Sequence, residues 1–385
     1  MTKRFAHLVM LAPVFTAQLV VAQVMAAQGP PPPPTVFPMS RDTIIGRIAD
    51  LRRIHTPEGI EVMEPVEVNG STQWISIRGL NRANPILLFV HGGPGSAMLA
   101  STWAYQKPWE DFFTVVNYDQ RAVGKNWSPA DTGRLRPTMT SEQHVQDAEV
   151  IVRHVLKKLG QQRLIVMGWS AGTGFTKTLV QRHPELFHAW VGMGVGGGGT
   201  GARDVLYERL MEIARAANDT GALRELDTMK PGATGGPRGI ERALALRKWA
   251  RIYDGGWYGR PNLDLFFKLS DWGPEYSTGE ADALIPATQW GARAITGGGT
   301  SSRSFAVPMF FLMGRYDLHT PYESARAYFD QIQAPRKEFI TFERAAHFVM
   351  LEEPGRFLMT LVNELLPLAG GAKTFPVIAT PPARR

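Results

Sequence analysis

The chain has 385 residues, 44% hydrophobic and 20% charged, a balance that suits a core domain carrying an insertion and excludes a disordered or multispan membrane chain. Zero cysteines exclude disulfides, thiolate catalysis and sulfur-based zinc sites, and leave an oxidising compartment open. The formal charge of +7 includes Lys3, Arg4, Arg384 and Arg385 at the ends and forms no basic stripe interleaved with aromatics, so nucleic acid is not an expected partner.

Lys3 and Arg4, an apolar run from Phe5 to Met25 and the small residues at Ala26 and Ala27 have the order of a secretory signal. Residues 1–26 are therefore expected to direct export to a periplasmic or secreted location and to be removed, with no stable membrane insertion afterwards. The other reading is a membrane anchor, but Pro13, Gln18 and Gln23 interrupt a stretch barely long enough to span a bilayer. Residues 27–40 contain a glycine and five consecutive prolines, a stiff linker without donors for regular structure.

Ile86–Val90 is a continuous apolar run between Asn84-Pro85 and a glycine cluster, the pattern of a buried parallel strand. The same pattern predicts strands at Thr114–Tyr118, Leu164–Met167, Ala189–Met193, Val307–Leu312 and Glu338–Phe342. Apolar positions spaced by three and four predict a helix from Ser141 to a glycine stop at Gly160. Further helices are expected at Gly172–Arg182, Tyr322–Gln331 and Pro354–Leu366. Alternation of this kind predicts an α/β fold, a mostly parallel central sheet flanked by helices. Residues 198–300 break the rhythm: glycine runs bracket helical patterns at Val205–Ala216 and Ile240–Ile252 and an aromatic-rich stretch. They read as a mainly helical cap inserted between core segments 41–197 and 301–370, with 371–385 as a tail. The other reading of the glycine runs is flexible loops in one continuous domain.

Gly168-Trp169-Ser170-Ala171-Gly172 joins a predicted strand to a predicted helix. A serine in that strand-turn-helix setting is a candidate nucleophile, and its flanking glycines allow close approach of neighbouring chain. Serine needs a base and a residue to orient that base. Asp317 and His347 follow later strands in the order Ser, Asp, His, so Ser170, Asp317 and His347 are the candidate catalytic residues. Asp204 is a weaker candidate acid. His319 is a competing base but is too close to Asp317 to come from a separate loop. His91-Gly92-Gly93-Pro94-Gly95 follows the first strong strand, and the Gly93 and Ala171 backbone N–H groups are the expected oxyanion donors. A plain glycine-proline turn is the alternative for that loop.

His91–Gly95 together with Asp119-Gln120-Arg121, Gly314–Asp317 and Ala346-His347 resembles the prolyl aminopeptidase (proline iminopeptidase) family of α/β-hydrolases over roughly residues 75–195 and 305–367. The resemblance implies a helical cap over the site and a triad on Ser170, Asp317 and His347. Three stretches depart from the family pattern. Ala122-Val123-Gly124-Lys125-Asn126 replaces Gly-x-Gly-x-Ser, and tryptophan stands before the serine, as Trp169, with Ala171 after it. Trp249-Ala250-Arg251-Ile252-Tyr253-Asp254 is one residue longer than the family's Trp-x-x-Trp-Glu, which turns a helical side chain by about 100°. Trp169, Tyr253 and Asp254 are the candidate substrate-binding residues, Asp254 as a ligand for a substrate amine.

The expected activity is hydrolysis of an ester or amide through an acyl-enzyme, without metal or organic cofactor. An aminopeptidase releasing N-terminal residues from small peptides leads, with a carboxylesterase or amidase for small apolar or aromatic substrates as the alternative. Haloalkane or epoxide opening would need Asp where Ser170 stands. A non-catalytic binding protein is disfavoured, because every catalytic position is filled.

Overall fold

The computed structural model describes residues 40–93, 95–196, 201–233, 235–259 and 268–370. The segment expected to be a signal, nearly all of the expected linker, the expected tail, Pro94, Gly197–Gly199, Phe266 and Phe267 lie outside them. Residues 1–44 form a unit of their own, of which Ser40 and the start of helix α1 (Arg41–Arg52) are described; residues 45–385 form the other.

Eight strands build one sheet: β1 (Ile60–Val68), β2 (Ser71–Gly79), β3 (Ile86–Val90), β4 (Thr114–Tyr118), β5 (Leu164–Trp169), β6 (Phe187–Met193), β7 (Met309–Gly314) and β8 (Lys337–Phe342), in spatial order β1-β2-β4-β3-β5-β6-β7-β8. The pairs β1–β2 and β2–β4 are antiparallel, and every later pairing is parallel. The expectation of a mostly parallel sheet holds. β7 starts at Met309 rather than Val307, because Pro308 has no N–H to give the ladder.

The apolar strands are explained by two cores, one on each face. Ile86, Leu88 and Val90 pack on one side with Val152 and Val155 of α2 (Ser141–Leu159) and Leu179 of α3 (Ala171–Arg182). Leu87 and Phe89 pack on the other with Trp109, Phe357 and Leu361. Truncating a side chain such as Leu88 to alanine would cost about 2–5 kcal/mol. α2 is capped at one end by the Thr140 side chain, which accepts from Gln143 N–H, and at the other by left-handed Gly160.

Between β6 and β7 the described residues include helices α4 (Ala202–Ala216), α5 (Thr220–Asp227), α6 (Gly239–Ile252), α7 (Thr278–Asp282) and α8 (Leu284–Ala294). Leu206, Leu210, Leu226, Leu246 and Trp249 give this layer a core of its own, closed by Leu318. After β7 come α9 (Tyr322–Asp330) and α10 (Pro354–Thr360). The long helix expected to Leu366 ends at Thr360, passes through a π turn at Leu361–Leu365, and tightens into a 3-10 turn containing Pro367.

Candidate active site

Ser170 lies between the end of β5 and the start of α3, with φ 52° and ψ −121°. This left-handed backbone is strained for a residue with a side chain. Its N–H donates to Met193 O at 2.8 Å. A Cβ at Gly168 would come within 2.5 Å of Thr176 Oγ1, and one at Gly172 would run into the Val90 and His91 carbonyl oxygens. The turn therefore needs both glycines.

Asp317 follows β7 and His347 follows β8, both almost fully buried. His347 Nδ1–H donates to Asp317 Oδ2 at 2.8 Å. Thr320 adds two bonds that sequence reasoning missed: its hydroxyl donates to Asp317 Oδ2 at 2.7 Å and its N–H to Oδ1 at 2.9 Å. Glu352, also missed, accepts from Phe348 N–H at 2.8 Å and from Ala346 N–H, bracketing His347. Burial raises the Glu352 pKa. Its position five residues after the histidine is the only trace of this role in the sequence.

Ser170, His347, Gly93 and Trp169 line one cavity of about 400 Å³. No direct hydrogen bond joins Ser170 Oγ to His347 among the described residues; such contacts are commonly loose until substrate engages. His319 lines the cavity too and stacks on His347, with ring centroids 5.0 Å apart. Burial, then the neighbouring His347, Arg247 and Arg251 charges, hold its pKa well below the ordinary value, so it stays neutral.

Gly93 has φ +113°, and its N–H has no acceptor among the described residues. Ala171 opens α3, where first-turn N–H groups lack intrahelical acceptors. The Asp119-Gln120-Arg121 segment holds the Gly93 loop from behind. Gln120 N–H donates to His91 Nε2 at 3.1 Å and Gln120 Nε2 to His91 O at 2.7 Å, while His91 Nδ1–H meets Gly92 O at 3.0 Å. Burial lowers the His91 pKa to about 4, so the ring is neutral and can accept the Gln120 bond. Arg121 forms two 2.9 Å bonds to buried Asp147. Asp119 accepts from Tyr276 OH at 2.5 Å and from Lys125 N–H at 2.9 Å, and burial raises its pKa to about 7.

Trp169 lines the cavity, and its Nε1–H donates to His347 O at 2.9 Å. Tyr253 and Asp254 are not brought to Ser170. They line a second pocket with Tyr258, Tyr316 and Asp317, and Tyr253 OH donates to Asp219 at 3.0 Å. The described aromatics between β6 and β7 contribute nothing to the Ser170 cavity; its aromatic walls are Trp169 and Phe348.

Residues 85–354 match a family model described as alpha/beta hydrolase fold. The chain is similar to the Bacillus subtilis (strain 168) protein named "Probable aminopeptidase YbaC", at 27% identity over 79% of this chain and 96% of that protein. It is also similar to the proline iminopeptidase of Heyndrickxia coagulans, at 22% identity over 71% of this chain and 88% of the other. The crystal structure of a proline iminopeptidase-related protein from Thermus thermophilus shares the fold, with a TM-score of 0.52, 19% identity, and coverage of 80% of this chain and 99% of that one.

Proposed function

The chain belongs to the alpha/beta hydrolase fold family and is a hydrolase, and from that premise we propose that it is a serine hydrolase working through an acyl-enzyme on Ser170. The observation that carries this reading is the 2.8 Å His347–Asp317 bond, between loops following β8 and β7, beside a cavity shared with a strained serine.

Ser170 Oγ attacks the carbonyl carbon of an ester or amide while His347 Nε2 takes its proton. Asp317 holds the ring tautomer and steadies the imidazolium. The tetrahedral oxyanion is held by the Gly93 and Ala171 N–H groups, each worth about 3 kcal/mol. Collapse expels the alcohol or amine, which takes the proton from His347. Water, deprotonated by the same ring, then releases the acyl group and restores Ser170.

Two substrate readings remain within this chemistry. The names of the sequence relatives support an aminopeptidase that releases N-terminal residues. The cavity supports a carboxylesterase or amidase better: no carboxylate lines it among the described residues, so nothing described there complements a substrate ammonium, and Trp169, Leu244 and Phe348 give apolar wall. Assay of a proline arylamide beside short-chain aryl esters separates the two. Ester turnover with little arylamide release is expected, and efficient arylamide release would restore the aminopeptidase.

Export with removal of residues 1–26 completes the proposal. N-terminal sequencing of exported protein is expected to begin near Ala27, and an intact Met1 would refute it.

A further inference from the structure

Helix α6 divides its cations into two sets. Arg242 pairs with Asp204 at 3.0 Å and Lys248 with Glu225 at 2.7 Å. Arg247 and Arg251, one helical turn apart, instead line the Ser170 cavity, joined there by Arg293 of α8. Among the described residues none of these three pairs with a carboxylate, and the nearest thing to a partner is the 3.3 Å bond from Arg293 to Gln289 O in its own helix. His319 Nε2, also at this cavity, is buried without a hydrogen-bond partner.

Like charges gathered without a directly paired counter-ion are unfavourable, most of all where one of them is withdrawn from water. Arg247 is that one: it is half-buried, whereas Arg251 and Arg293 reach the cavity from exposed positions. Burial, then Arg203 and Arg251, work against the Arg247 cation, and Asp317 is the charge that favours it. A bound anion would remove the imbalance, and guanidinium groups suit planar or tetrahedral oxyanions through paired N–H donors. The apolar surface of Trp169, Leu244 and Phe348 lies along the same cavity and suits a hydrocarbon linker.

We propose that the substrate is an ester or amide bearing an anionic oxygen group, a carboxylate or a phosphate, that sits against Arg247, Arg251 and Arg293 while its scissile carbonyl meets Ser170. The assignment rests on the reading of Ser170 as nucleophile. It extends that reading from a type of bond to a charge class, and it disfavours a free substrate amine at this wall.

The test compares kcat/KM for matched charged and neutral esters. One pair, p-nitrophenyl hemiglutarate and p-nitrophenyl pentanoate, carries the charge on the acyl side; the other, the butyrate esters of 4-hydroxybenzoate and 4-hydroxybenzamide, carries it on the leaving side. In at least one pair the charged ester is expected to be preferred by about tenfold or more. That preference should shrink at about 1 M salt, where screening acts over about 3 Å. Arg247→Gln and Arg251→Gln should each reduce the charged-to-neutral ratio about tenfold, with Arg251→Lys retaining most of it. Calorimetry of glutarate and of inorganic phosphate on Ser170→Ala reads the same wall without catalysis, and the tighter ligand identifies the preferred oxyanion. Ratios near one in both pairs, or a ratio unchanged in the Arg247→Gln/Arg251→Gln double variant, would overturn the anion assignment while neutral-ester turnover left the Ser170 reading standing. Failure to hydrolyse any ester or to label with a fluorophosphonate would sink the Ser170 reading; glutarate and phosphate both failing to bind would then overturn the anion assignment as well.

Discussion

The floor and the roof of the cavity are built differently. The floor consists of loops following parallel strands: the Gly93 loop after β3, Ser170 after β5 and His347 after β8, with Asp317 after β7 bonded behind His347. Each is fixed by short-range hydrogen bonds and by a sheet buried on both faces. The roof is the side of two helices, α6 resting on the small core of its own layer and α8 on two smaller apolar clusters. Strand-end loops can hold reacting groups in register, whereas helix faces can change their side chains without disturbing that register. On the proposed mechanism, rate would be set by the floor and choice of substrate by the roof.

That division can be broken by any floor variant that changes substrate preference. Asp317→Asn is expected to lower kcat about 10⁴-fold through loss of the correct His347 tautomer, equally for charged and neutral esters. A changed ratio between them would blur floor and roof. Thr320→Val removes one hydroxyl bond from Asp317 and should cost about tenfold in kcat, on the order of 1.4 kcal/mol. KM should barely move, and a larger KM effect would place Thr320 in binding instead. Asp254→Asn keeps a residue type that tolerates the left-handed backbone there, φ 58°. Because Asp254 lies in the other pocket, proline arylamide and ester turnover should stay within about twofold of wild type; selective loss of the arylamide would make it an amine ligand after all.

The same contrast explains what the sequence allowed to be read. Strands β3 to β7 are short, largely apolar runs because both faces of the sheet are buried there, and the glycines beside Ser170 are demanded by close contacts; both leave local marks. β1 and β2 carry no such run: Glu61, Glu64, Pro65 and Glu67 interrupt β1, and Gln73, Ser76 and Arg78 interrupt β2. The signal of this edge hairpin was the turn: Asn69 and Gly70 both have positive φ, and Asn-Gly between strands favours that turn. The arginines of the roof escaped notice because cations on a helix ordinarily face solvent. The available clue was the spacing of Leu244, Arg247 and Arg251 along one face, with no acid three or four residues from Arg247. Arg293 could not be joined to them without the fold, since 42 positions separate it from Arg251.

The most direct measurement is covalent. Wild-type protein treated with a fluorophosphonate, digested and mapped by mass spectrometry should carry one stoichiometric adduct on Ser170, and Ser170→Ala, folded by circular dichroism, should carry none. Labelling that persists in Ser170→Ala, or a wild type that never reacts, would contradict the account.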